Sequence, residues 1–133
     1  MPSVEGEALA KRAVADAIVK RTTQELREIL HDLVAQLKPF PLFPGNSFVE
    51  AIEAEPGRAH GSEMGCVVVC PDGELYEMAV EYDLAIEELA PMDDPRSEKM
   101  KPLELAPDDY IIYAHHAIQA VTEALVRQSR TRA

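Results

Sequence analysis

The chain has no tryptophan, and its other aromatic residues amount to three phenylalanines and four tyrosines. So few rings do not build the serial stacking platform that single-stranded nucleic acid uses. Cysteine is scarcer still, with Cys66 and Cys70 alone. Four residues apart on a strand, they stand about 13 Å from one another, beyond the reach of a disulfide, and two cysteines make no zinc pattern. Both read as small buried apolar groups. No glycine-rich phosphate loop is present, and Gly61-Ser62-Glu63-Met64-Gly65 fits the start of a strand better than a nucleophile elbow. There is no run of 18 or more apolar residues and no basic segment leading into an apolar stretch at the N-terminus, so neither a membrane span nor a signal peptide is expected, and the expected location is cytoplasmic.

Positive charge is also short: 13 lysines and arginines stand against 24 aspartates and glutamates, for a net charge of −11 over 133 residues. The deficit is uneven. Residues 1–38 hold six of each sign, residues 39–109 hold four basic and seventeen acidic, and residues 110–133 hold three basic and one acidic. A middle segment at −13 argues against nucleic-acid binding, which needs a basic patch to neutralise phosphate. It suits solvation, or a basic protein partner met by an acidic inhibitor.

What the sequence does contain is a hairpin that specifies its own register. Met64 to Cys70 leads into Pro71-Asp72-Gly73, and Glu74 to Ile86 follows in alternation. Proline presets the second position of a type I turn, Asp72 tolerates the third, and Gly73 takes the left-handed conformation after it. Cys70 then pairs with Glu74, Val68 with Tyr76, Cys66 with Met78, Met64 with Val80 and Ser62 with Tyr82. One face is apolar and the other carries Glu77, Glu81 and Asp83, so a slip of one residue would bury carboxylates. Such a hairpin needs a cover.

Two helices are expected to supply it. The first runs from Val4 to Leu37, with no glycine after Gly6 and Pro39 to end it. Leu26, Ile29, Leu30, Leu33, Val34 and Leu37 form a strong stripe, and Ala10, Val14, Ile18 and Thr22 a weaker one. At 1.5 Å per residue this helix spans about 51 Å, more than the roughly 36 Å diameter of a compact chain of this size. It must protrude, bend or break, and adjacent Thr22 and Thr23 mark the place for a break. A protruding stripe at Ala10, Val14 and Ile18 suits a second copy, hence a homodimer. The second helix opens at Pro107 or Asp108, with Asp108 and Asp109 at the positive end of its dipole, and runs to about Arg127. Ile111, His115, Ile118, Thr122 and Leu125, with Ala114 and Val121 beside them, are expected to face the hairpin.

Between these elements, Pro39 to Asn46 reads as a stiff crossover whose Phe40, Leu42 and Phe43 pack down. Residues 48–54 read as an edge strand that makes a three-stranded meander, although Ser47 and Glu50 also resemble a helix capping box. Arg58 to Gly61 reads as the connecting loop. Leu84 and Ile86 run on to a free edge or a short helix, with Glu87 and Glu88 to blunt the edge. Residues 91–107, with four prolines, read as a long polar loop.

The one constellation with possible chemistry joins Glu28 and His31 on the first helix to His115 and His116 on the last. Glu28-x-x-His31 sets a carboxylate and an imidazole one turn apart, the spacing of carboxylate-bridged di-metal bundles, and Asp32, Asp109 and Glu123 could assist a divalent metal ion. Against this, such bundles draw ligands from four helices, adjacent histidines diverge by about 100°, and His115 on an apolar face reads equally as a hydrogen-bonded core residue. The expected whole is a single α+β domain over residues 1–133, with the N-terminal and C-terminal helices packed on one face of a small antiparallel sheet. The expected function is a binding or interaction module rather than an enzyme. A metal-dependent or small-ligand protein with a site between the helices, and an acidic inhibitor of a basic protein, are the alternatives.

Overall fold

A computed structural model of the chain describes residues 3–43, 49–54, 66–82 and 96–132, with residues 79–82 and 96–99 described through their backbone. Helix α1 spans Val4–Gln36, strands β1, β2, β3 and β4 span Ile52–Glu53, Cys66–Val69, Leu75–Tyr82 and Arg96–Pro102, and helix α2 spans Pro107–Arg132. The strands form an antiparallel sheet in the order β1-β2-β3-β4, and the two helices pack against it.

The hairpin has the register its turn dictates. Cys66 faces Met78 and Val68 faces Tyr76. Gly73 N–H donates to the Cys70 carbonyl at 2.8 Å, Cys70 N–H donates to the Glu74 carbonyl at 3.2 Å, and Gly73 sits at φ +81°. Asp72 secures both sides of the turn, accepting from Glu74 N–H at 2.9 Å and from the Tyr76 hydroxyl. That hydrogen bond pushes the Tyr76 phenol up to about 12. The expected pairs Met64–Val80 and Ser62–Tyr82, the loop at Arg58 to Gly61, the Ser47 capping box and the continuation through Leu84, Ile86, Glu87 and Glu88 lie outside the described residues.

The hairpin turns a different face to the helices than alternation suggests. Val67, Val69 and Leu75 meet Leu30, Val34, Leu37, Tyr113, Ala117 and Val121 in the main core. Val68, Met78 and Ala51 form a second cluster with Phe43, Val49, Cys66 and Tyr76. The run Val67-Val68-Val69 is fully buried on both sides, which is why the charge of Glu77 misleads: Glu77 shares the helix-side face with Val67 but lies half-buried at its margin.

Residues 96–102 are a strand rather than part of a loop. β4 pairs with β3 from Tyr76↔Pro102 to Tyr82↔Arg96, and Leu103 N–H extends the ladder to the Leu75 carbonyl at 3.1 Å. β-propensity in Arg-Ser-Glu-Lys-Met-Lys-Pro is low, and pairing with the long strand β3 overrides it. At the opposite edge, an edge strand lies within the expected residues 48–54 but spans only Ile52–Glu53. The crossover doubles back onto it, with Phe43 N–H donating to Val49 O at 2.7 Å and Ala51 N–H to Pro41 O at 3.2 Å. Phe40 is buried in the main core and Phe43 packs on the second cluster, while Leu42 is exposed.

Helix α1 is continuous through Thr22 and Thr23. Their hydroxyls donate to Ile18 O at 2.8 Å and Val19 O at 2.9 Å, absorbing the polar groups into the helix without a break. Ser3 caps the start, its Oγ accepting from Gly6 N–H at 2.9 Å, and Glu5 and Glu7 meet the positive end of the dipole.

The helices run side by side in the same direction. Thr23 lies beside the Pro107 carbonyl, the Arg27 guanidinium stands 5.1 Å from the centre of the Tyr110 ring, and Gln128 clamps the corner after α1. Its side-chain amide donates to Pro39 O at 2.6 Å and accepts from Lys38 N–H at 3.3 Å. The buried stripe of α2 is Tyr110, Tyr113, Ala114, Ala117, Val121 and Ala124. It is turned by about one residue, or 100°, from the expected face, so Ile111, Ile118 and Leu125 flank it and His115 is exposed. Three alanines let the backbones of α1 and α2 approach closely, and bulky aliphatics take the margins.

Candidate functional site

The two halves of α1 differ in what they touch. From Thr22 onward the helix buries Leu30 and Val34. From Ser3 to Ile18 every residue is exposed, including Leu9 and Val14 at 61 % and Ile18 at 59 %. α2 first comes alongside at Asp16 and Val19, which line a hollow with Pro107 and Asp108. The preceding turns therefore extend past the start of α2, and residues 4–18 reach about 22 Å at 1.5 Å per residue.

Ala10, Val14 and Ala17 of this arm do not continue the core stripe, whereas Ala8, Leu9 and Ala15 lie within about 60° of the direction of Leu30. At 100° per residue, Ala10 and Val14 point about 160° away from Leu30, and Ala17 about 140° away. The side of the arm in line with the core also carries Glu5, Arg12 and Asp16. The helix thus has two apolar faces on opposite sides, one used inside the fold and one exposed. Of the ion pairs along the helix, Lys11–Glu7 at 3.1 Å and Arg21–Glu25 at 3.3 Å lie on or beside the outer face, Arg12–Asp16 at 3.8 Å lies on the opposite side, and all three are well exposed.

The candidate metal ligands fall in different surroundings. Glu28 is exposed on α1. His31, half-buried, turns to the hairpin, where its Nε2 stands 3.1 Å from Glu74 Oε1. His115 is exposed and His116 partly buried, their ring centroids 6.3 Å apart at 67°. Asp32, Asp109 and Glu123 are exposed. Among the described residues, no three or more histidine, cysteine, aspartate or glutamate side chains are grouped to hold a metal ion. The partner of His31 went unanticipated because Glu74 is 43 residues away and reaches α1 only through the turn.

Burial, and next the charge of Asp72, push the Cys70 thiol up to about 11, away from the thiolate that nucleophilic or redox chemistry requires. A groove of about 280 Å³ runs between the β1 edge and α2, lined by Pro41, Leu42, Ile52, Ala120, Glu123 and Arg127. Among the described residues no helix is long and apolar enough to cross a membrane. Compared with protein-family models, with curated proteins and with solved structures, the chain matches none of them.

Proposed function

We propose that this chain is a cytoplasmic protein-interaction module that works as a homodimer, with the first half of α1 as its contact surface. The observation that supports this reading is the outer face of Ala10, Val14, Ala17 and Ile18. Aliphatic side chains recur there at helical spacing, on the side of α1 turned away from the protein's own core. Isolated surface aliphatics need no explanation, whereas a stripe on an otherwise unsupported helix does. Burial against another helix would stabilise both the stripe and the helix that carries it.

Native mass spectrometry of the full chain tests the reading, because one spectrum reports subunit number and any retained ligand. A bare dimer that becomes monomeric on Val14→Asp supports it. A monomer at micromolar concentration overturns it. Mass that leaves with chelator and on His31→Ala overturns it in favour of metal binding at Glu28, His31, His115 and His116.

A further inference from the structure

We infer that the exposed half of α1 pairs antiparallel with the same segment of a second copy, about a two-fold axis close to Val14. This rests on the homodimer reading and adds the orientation and register. The first argument is charge. Residues 4–25 carry four acidic side chains, Glu5, Glu7, Asp16 and Glu25, and four basic ones, Lys11, Arg12, Lys20 and Arg21, so the segment is neutral and the remainder carries the whole −11. Two copies meeting through the acidic middle of the chain would bring like charge together, whereas through this segment they approach without net repulsion.

The order of those charges selects the direction. Acidic Glu5 and Glu7 come first, and basic Lys20 and Arg21 come last. A parallel pair in register would set Glu7 against Glu7 and Arg21 against Arg21. An antiparallel pair centred on Val14 sets position i against position 28 − i. Glu7 then lies opposite Arg21 of the second copy, Ala10 opposite Ile18, and Val14 against its own copy. Glu7 and Arg21 lie about 20° to either side of Val14 around the helix, so both front the second copy across a two-fold axis perpendicular to the helices.

Shape gives the same answer. The arm extends in one direction from the core, so a parallel pair would crowd two acidic bodies at one end. The antiparallel pair places them at opposite ends. The side of α1 that receives the second copy's first turns carries Arg21, Gln24, Glu25 and Glu28, all exposed. Small residues at Ala10, Ala13 and Ala17 let the helix axes come close, and Val14 and Ile18 supply apolar area.

Cross-linking of full-length protein distinguishes the arrangements. Glu7→Cys and Arg21→Cys chains, mixed and treated with a short bismaleimide, are expected to give a 7-to-21 link by peptide mass, in preference to any 7-to-7 link. Val14→Asp is expected to weaken dimerisation at least tenfold, with a melting profile unchanged at dilutions where both proteins are monomeric. A dimer giving 7-to-7 links would overturn the antiparallel order and leave the homodimer reading standing. A dimer unaffected by Val14→Asp and giving neither link would overturn this surface. A monomer would overturn both.

Discussion

His31 lies directly over Gly73, so that a methyl group built on Gly73 would meet His31 Cδ2 at 2.8 Å and His31 Cα at 3.2 Å. Gly73 is thus required twice. Its φ of +81° suits the turn, and its bare Cα lets the hairpin tip sit against the α1 backbone. The hydrogen bond between His31 Nε2 and Glu74 Oε1 completes this joint between sheet and helix.

Gly73→Ala should therefore destabilise the fold by about 2 kcal/mol or more, combining backbone strain with a clash. Adding His31→Ala should recover only part of the loss, because the Cα of residue 31 stays at 3.2 Å. Urea midpoints of the two variants check this, and full recovery would show that the ring alone was the obstacle.

Gln128 joins α2 to the corner after α1 through two hydrogen bonds. Gln128→Ala should cost about 1–2 kcal/mol, the range for two partly exposed hydrogen bonds. Thermal melts compared with Gln24→Ala, on the exposed side of α1, separate this from loss of helix propensity.

The two halves of α1 should respond differently to truncation. Leu30→Ala, at a fully buried site, should cost about 2–5 kcal/mol in the unfolding of the monomer, whereas Val14→Ala should stay within about 0.5 kcal/mol and change only association. Unfolding at low and high protein concentration separates the effects. A large cost for Val14→Ala at high dilution would place that side chain inside the fold.

Cys70 sets an alkaline limit. Its thiol is raised in the folded protein from an ordinary 9.0 to about 11. The unfolded chain therefore releases this proton first. The contribution is fully present below about pH 9 and is lost as pH rises from about 9 towards 11. Cys70→Ala should flatten this part of the stability profile. At pH 8, alkylation of Cys70 should be slow in the folded protein and rapid in denaturant.

The elements that were legible in the sequence are those governed by neighbours along the chain. Pro71, Asp72 and Gly73 carry their turn type with them, and register follows because pairing proceeds outward from the turn. The extent of α1 and the proline-started α2 follow from propensity and capping, with the second half of α1 marked by its strong apolar stripe, while the sequence left open whether α1 breaks at Thr22 and Thr23. The outer stripe at Ala10, Val14 and Ile18 was legible for the same reason. Its opposition to the core face also follows from helical geometry, once Leu30 and Val34 are known to face inward.

Tertiary structure decided the rest. Val67, Val68 and Val69 make both faces of β2 apolar, so local alternation leaves the choice of face to be settled by what packs on each side, the two helices on one and Phe43, Val49 and Ala51 on the other. On α2, Ala114 and Ala117 face inward because two parallel helices pack most closely where side chains are small, a quantity that hydrophobicity alone does not register. β4 exists because β3 offers it a ladder. The nearness of His31 to Glu74 depends on the whole path between them. The sequence by itself determined what each segment can form; long-range packing, where several apolar faces compete for one core, determined which faces meet.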